Sequence, residues 1–395
     1  MNTAFLSTKL SWGLIILFTL SILTLHSLAD DNQQCQWVPI NQNSFAEILT
    51  MINSRVEENY NRIETWQGKV TTVYDSVINE DEGKRKSYEQ ILVDKPLPNK
   101  IIDHVELTRE FAVDVNKGLL YESTYPDAQQ QIIDEQTGKN LQLNGLVHIG
   151  SGKSILAPNY QLDCKDIKNQ DGVVVRRDAI KQSRPPGGTT CQGNLRPVFD
   201  PRETMRIFGD ITGKSSAPLG GTFAKYLAFF NKEGGHSIDG HPTITVEECN
   251  VGKVKKYRIT LLILSKDDSG STVHTSSALI CSSEAGFNVD SFLTTYNNGK
   301  ILENKTWDYG LIDGVYLPER KTQQKFDYHT GDLANQSTIS FIDQKVNNPI
   351  SNEVFTYKNL GLKNDDKFID KIENKKYKYQ DANLVLIPEP NNPPK

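Results

Sequence analysis

The sequence is short of the features on which most recognisable activities depend. Positive charge is not in excess, since 44 Lys and Arg face 49 Asp and Glu for a formal net charge of −5. The lysines are scattered, so there is no basic footprint for phosphate contacts and nucleic acid is not an expected partner. Cysteine is sparse, with five residues, and none stand in C-x-x-C spacing, which argues against a thiolate zinc site. Beyond the first thirty or so residues no apolar run is long enough to cross a bilayer. There is no G-x-S-x-G elbow for a nucleophilic serine. Gly150-Ser151-Gly152-Lys153-Ser154 imitates a phosphate loop, but the first glycine of that pattern would fall at Val147. Asp268-Ser269-Gly270 has no second Asp-Thr-Gly or Asp-Ser-Gly to complete an aspartic-protease dyad, and reads as a hairpin turn. His236, Asp239 and His241 form the best metal candidate, yet they lie between glycines and read as a solvated turn. The expectation is a protein with no catalytic residues, no metal and no cofactor.

What is present begins with the layout of a secretory signal at residues 1–29. Lys9 precedes an apolar run from Trp12 to about Leu28, with Ser27 and Ala29 as the small residues of a cleavage site. Cleavage would remove a single charge, that of Lys9, and leave a periplasmic or secreted chain with no integral membrane domain; the competing reading is a retained anchor. In such a compartment disulfides are allowed. The odd cysteine count leaves at least one thiol free or intermolecular. Among several possible pairings, Cys164 with Cys191 and Cys249 with Cys281 are expected, with Cys35 left over.

The stretch from Ser44 to Ile78 organises the rest. Phe45, Ile48, Leu49, Ile52, Val56 and Ile63 recur at helical spacing and give one apolar face. Ser44 and Glu47 have capping-box spacing. Past Trp66-Gln67-Gly68 the period shortens from about 3.6 to 2, so the helix runs directly into a strand. Further strands are expected at 88–93, 100–107, 111–115, 119–125 and 130–134, then seven more between 243 and 346 with turn signals such as Asp313-Gly314 between them. Consecutive strands without intervening helices favour antiparallel pairing. So many strands in one sheet must curl. The fold class is therefore mainly β (α+β): a large curved antiparallel sheet or unclosed β-barrel, with the N-terminal helix and short mid-chain helices on its concave side. Residues 138–198 are rich in Gly, Pro and Asn and read as a loop insertion in a barrel domain spanning 30–346. A short helix is expected from Asp200-Pro201, and a strongly apolar one from Thr222 to Lys232 carrying Phe223, Leu227 and Phe230. Residues 347–395 read as a C-terminal extension with a frayed tail.

Ile63-Glu64-Thr65-Trp66-Gln67-Gly68-Lys69-Val70 at the end of the opening helix, the strand meander, and Asp313-Gly314-Val315-Tyr316-Leu317-Pro318 before a long strand resemble the LolA/LolB-like superfamily of periplasmic lipoprotein carriers. Phe199-Asp200-Pro201-Arg202, Asn348-Pro349-Ile350 and Leu360-Gly361-Leu362 resemble a long secreted branch of it. The resemblance implies an open barrel roofed by helices, with an apolar cavity for acyl chains. Phe45, Ile52, Trp66, Phe223, Leu227 and Phe230 are the candidate cavity residues. The expected function is non-enzymatic binding of a lipid, an acylated protein or another apolar ligand in the cell envelope. The alternative is a structural scaffold of the envelope that binds a protein partner and no ligand.

Overall fold

The computed structural model describes residues 35–79, 85–92, 96–124, 129–142, 152–168, 174–183, 201, 243–266, 270–297 and 299–388. The expected helices carrying Phe223, Leu227 and Phe230, and the His236–His241 cluster, lie outside these residues, as do the signal segment and Cys191.

The opening helix, α1 (Phe45–Asn61), forms where its apolar spacing places it. Its start differs from the capping-box expectation, because the Ser44 side chain makes no cap bond. A 3-10 turn, Gln42–Ser44, precedes the helix instead, and the Asn41 side chain accepts from the Asn43 backbone N–H at 3.0 Å. After the three residues Arg62, Ile63 and Glu64 the chain enters β2 (Thr65–Ile78). Asn347 holds this junction: its Oδ1 accepts from the Glu64 N–H at 2.8 Å, and its Nδ2 donates to the Arg62 carbonyl at 2.7 Å. Carbonyls that the helix end cannot use internally are thereby given a partner.

The ladder across the sheet runs through β10 (Thr243–Val251), β11 (Val254–Lys266), β12 (Thr272–Ser282), β13 (Val289–Tyr296), β14 (Lys300–Ile312), β15 (Val315–Phe326) and β16 (Leu333–Val346), every neighbour antiparallel. It then continues to β2 and β3 (Ile101–Asp114). Asp313 and Gly314, both at positive φ, make the two-residue turn between β14 and β15 that their sequence announces. β3 is one long strand rather than the two expected, because the polar Thr108-Arg109-Glu110 stretch stays paired with β2. Beyond it the sheet forks: β4 (Leu119–Thr124) takes one half of β3, and β5 (Gln129–Asp134) the other.

One continuous core shows how the sheet bends. It joins Leu49, Ile52, Val56 and Tyr60 of α1 to Trp66, Phe111, Leu120, Val246, Leu279, Trp307, Leu317 and Phe341, which come from strands between β10 and β4. Laid flat, those strands would span roughly 45 Å, whereas a helix is about 10 Å wide. The sheet is accordingly curved around α1, and it is unclosed. At the centre of this core Trp66 stacks on Phe341 (5.5 Å between ring centroids) and meets Phe111 edge-on (5.2 Å). Gly68 lets the strands approach closely here, since a Cβ would lie 3.1 Å from the Ile342 carbonyl oxygen and 3.4 Å from the Phe111 ring.

Three readings of the sequence are corrected. Residues 88–91 of the strand expected at 88–93 belong instead to a helix, α2 (Arg85–Ile91), and Tyr88 and Leu92, four apart, pack together with Ile78, Ile101 and Ile132. Within 138–198, four described stretches are strands: β6 (Asn140–Leu141), which pairs with β5, and β7 (Gly152–Leu156), β8 (Tyr160–Lys168) and β9 (Val174–Ser183), which extend the sheet from β4. The C-terminal part joins the same sheet, with β17 (Lys367–Asp370) parallel to β9, followed by β18 (Lys375–Gln380) and β19 (Asn383–Leu386). Phe355, Leu360, Leu362 and Phe368 cover Ala112, Tyr121, Ile155, Leu162 and Ala179 on the face opposite α1.

The expected Cys249–Cys281 pairing is also corrected. Cys249 is bonded to Cys35, and both Cys281 and Cys164 are buried free thiols. Cys281 projects into the α1 core while Cys249 projects the other way, so the two cannot meet without turning a strand over. Burial pushes the Cys164 thiol up to about 12, and that of Cys281 well above its ordinary value. The Cys35 bridge ties down β1 (Val38–Pro39), which pairs with β10 and covers that edge of the sheet.

Candidate functional site

The concave face has two packed ends and a more open middle. α1 closes one end, as described above, and α2 closes the other over Ile78, Ile101 and Ile132. Between them the strand register fixes two cross-sheet rows on the same face as Trp66 and Val70. The first row reads Phe292, Lys305, Gln323, Ser337, Tyr74 and Val105 from β13 to β3. The second reads Trp307, Lys321, Ile339, Thr72 and Leu107 from β14 to β3. Tyr74 is 38% exposed, and Ser337, Ile339, Thr72, Val105 and Leu107 are half-buried. Aliphatic and aromatic side chains thus remain partly open on a face that curves inward.

Two lysines enter this band from adjacent strands. Lys305 lies with its ammonium 5.0 Å from the centre of the Phe292 ring, and Lys321 with its own 5.2 Å from that of Trp307. Both are drawn inward: Lys321 is 9% exposed and the Lys305 side chain 12%. Glu303 approaches Lys305 at 2.9 Å and Lys325 at 3.9 Å, and Gln323 Nε2 donates to it at 2.8 Å. An ammonium over a ring face keeps part of its solvation through the ring quadrupole, which makes its inward placement affordable.

Past β3 the concave face becomes polar and closed. Arg109 Nε meets Glu122 Oε1 at 3.2 Å, and Thr124 Oγ1 donates to the same oxygen at 2.9 Å. Next to it Ser154 Oγ donates to Asp163 Oδ1 at 2.5 Å, and Gln161 Nε2 reaches Asp163 at 3.1 Å. Glu122 is 1% exposed and Asp163 2%, and their hydrogen bonds account for why two carboxylates tolerate that burial. Serine, carboxylate and glutamine here form a bonded lattice on β4, β7 and β8.

Of the six residues singled out in the sequence, the three that are described, Phe45, Ile52 and Trp66, all belong to the α1 core or pack against it. Ile52 and Trp66 have 0% exposure and belong to the packed core, so neither presents surface to a guest. Phe45 is half-buried at the start of α1 and packs against that core. Phe223, Leu227 and Phe230 fall outside the described residues. The open band residues Tyr74, Leu107, Lys305, Lys321 and Ile339 were not singled out. Their signal was strand alternation interrupted by an inward lysine, which becomes visible only when the register is known. Among the described residues no group of three or more His, Cys, Asp and Glu side chains is placed to hold a metal. No helix among them is long and apolar enough to cross a membrane.

No family model matches the chain, and no curated protein matches it. Among solved structures it is similar to a DUF1329 family protein from Desulfovibrio piger, with 7% identity, 80% of this chain and 98% of the other covered, and a TM-score of 0.30. A structure described under asymmetric conductivity of engineered proteins matches at 8% identity and a TM-score of 0.14, covering 71% of this chain and 100% of the other. Superpositions this loose establish neither family nor function.

Proposed function

We propose that this protein is a non-enzymatic binding protein that holds an apolar or acylated molecule against the concave face of its sheet. The observation that carries the reading is the half-open band of Tyr74, Val105, Leu107 and Ile339 between two packed ends of a curved sheet. A concave apolar surface with a few placed polar groups is the usual form of a small-molecule site. The sequence resemblance to lipoprotein carriers supports the same reading. A Cys35–Cys249 disulfide suits an oxidising compartment, so we place the protein outside the cytoplasm, with residues 1–29 as its export signal. The experiment is mass spectrometry of solvent extracts from natively purified protein, in which a stoichiometric acyl species is expected. Extracts free of any apolar molecule, together with no uptake of added lipid, would overturn the reading.

A second reading, an envelope scaffold that binds a protein, is favoured by the edge of β19 that pairs with no other described strand, where Val385 and Leu386, and Ile387 just beyond, are exposed. Native cross-linking that traps one stoichiometric partner through this edge would support it, and a β19 edge that cross-links to nothing would count against it.

A further inference from the structure

The far end of the sheet concentrates positive charge on one face. Strand register carries the face of Asp163 on β8 to Ile180 of β9, then to Lys367 and Ile369 of β17, Lys376 and Lys378 of β18 and Val385 of β19. All three lysines are exposed. Lys367 stands directly opposite Lys378, and Lys376 is two residues along the same strand, so three ammonium groups rise from backbone positions roughly 5–7 Å apart. Like charges directly opposite one another repel. Lys378 meets Asp365 at 2.8 Å, whereas Lys367 and Lys376 have no acidic partner among the described residues. Asp178, beside Lys367 on β9, is taken by Arg176, whose Nη2 donates to it at 3.1 Å. Asp370 of β17 projects to the opposite face, onto Lys181, and β18 and β19 carry no acid. Lysine on a sheet edge ordinarily guards that edge against pairing. Here the lysines stand one and two strands in, and the outer strand bears Val385, 46% exposed, with Ile387 just beyond, 38%. The Ile387 N–H donates to the Lys376 carbonyl, so each β18 lysine has an exposed aliphatic beside it. Ammonium groups flanked by aliphatic side chains match the boundary of a bilayer, where lipid phosphates lie over the first methylenes. The chain as a whole carries −5, so this local excess of positive charge also orients it towards an anionic surface.

We propose that this face of β17–β19 docks on an anionic phospholipid bilayer, with Lys367, Lys376 and Lys378 on the lipid phosphates and Val385 and Ile387 at the headgroup boundary. The proposal is independent of any guest in the concave strip.

The test is co-sedimentation of the whole exported protein with vesicles of phosphatidylcholine alone or mixed with phosphatidylglycerol. Binding is expected to the mixed vesicles only, and to weaken as salt is raised. Lys367→Gln, Lys376→Gln and Lys378→Gln are each expected to weaken it about fivefold, while the corresponding arginine variants keep it. Lys139→Gln and Lys253→Gln, which remove the same charge from exposed positions elsewhere, should leave it unchanged. Val385→Ser with Ile387→Ser is expected to weaken binding without altering its salt dependence. Equal binding to neutral vesicles, binding to neither, or a loss in the Lys139 and Lys253 variants as large as in the other three would overturn the proposal. Soluble polyglutamate that displaces the vesicles at equal charge would overturn it in favour of an acidic protein partner. Uptake of an apolar guest is read separately, by solvent extraction, and stands or falls on its own.

Discussion

Single polar side chains decide how α1 meets the sheet. Between Val315 and Glu319, β15 has no strand partner on the β16 side among the described residues, since its pairing with β16 begins at Arg320. Asn59 of α1 fills the gap: its Nδ2 donates to the Tyr316 carbonyl at 2.9 Å and its Oδ1 accepts from the Tyr316 N–H at 2.7 Å. Gln344 does the same nearby, donating to the Pro318 carbonyl and accepting from Trp66 Nε1. Asn59→Ala would leave a backbone pair unsatisfied under a buried helix, and is expected to lower stability by about 1–3 kcal/mol in denaturant titration. A change within error would mean that water replaces the side chain there. None of this is legible in the sequence, where Asn59 looks like one more polar residue at the end of a helix. Trp66 and Gly68 were legible as a pivot, because an abrupt change of period marks them, but their role as packed core rather than cavity wall depends on Phe341, which lies far along the chain.

Elements were readable where periodicity was strong and failed where it was not. α1, β2 and the seven strands from β10 to β16 follow from spacing and turn residues alone. The strands β7 to β9 were hidden because β7 opens on the last glycine of the Gly150-Ser151-Gly152 sequence, and because β8 and β9 carry polar residues on both faces: one face bears Asp163 and Gln161, bonded internally, and the other packs on the C-terminal segment. β17 was unreadable for a different reason, since a parallel partner far upstream leaves no local signal. An ion pair helps to hold it there, with Lys181 Nζ 2.8 Å from Asp370 Oδ2. Burial raises the Asp370 carboxyl, but the Lys181 bond and the Ile372 and Glu373 N–H groups outweigh it and hold it below its usual range. A depressed folded value contributes stability above the unfolded value of about 3.9 and loses it as pH falls through the folded one. Amide exchange at Phe368 and Ile369 is therefore expected to accelerate selectively as pH is lowered below about 4, after correction for the intrinsic rate, and Asp370→Asn should show no such acid-dependent step. The partner Lys181 is raised, by its bond to Asp370 first, so its contribution is present below the unfolded value and is lost only in strong base. At the opposite edge the Cys35–Cys249 bridge, closing a separation of 214 residues, holds β1 on β10. Its reduction, or Cys35→Ser, is expected to lower stability by about 2–4 kcal/mol, read by denaturant titration with and without reductant. An unchanged midpoint would show that β1 holds by its ladder alone.

At the scale of the whole molecule the sheet is long, bent and open, with the α1 core and the smaller α2 cluster inside the bend and a third cluster on the outer face of its far half. α1 and α2 fill the two ends of the bend, and the strip between them carries Tyr74, Leu107 and Ile339 beside the Lys305 and Lys321 ammonium groups. The account stands on a guest lying in that strip. Trp307 sits at its rim, whereas Trp37 rests under Arg258 on the other face, 4.6 Å from the guanidinium to the ring centre. The most direct measurement is therefore quenching of tryptophan fluorescence by a bromine-substituted dodecanoate in the unaltered protein, Trp37→Phe and Trp307→Phe. Saturable quenching that persists in Trp37→Phe and disappears in Trp307→Phe is the predicted result. Quenching that survives the loss of Trp307, or never saturates, would contradict it.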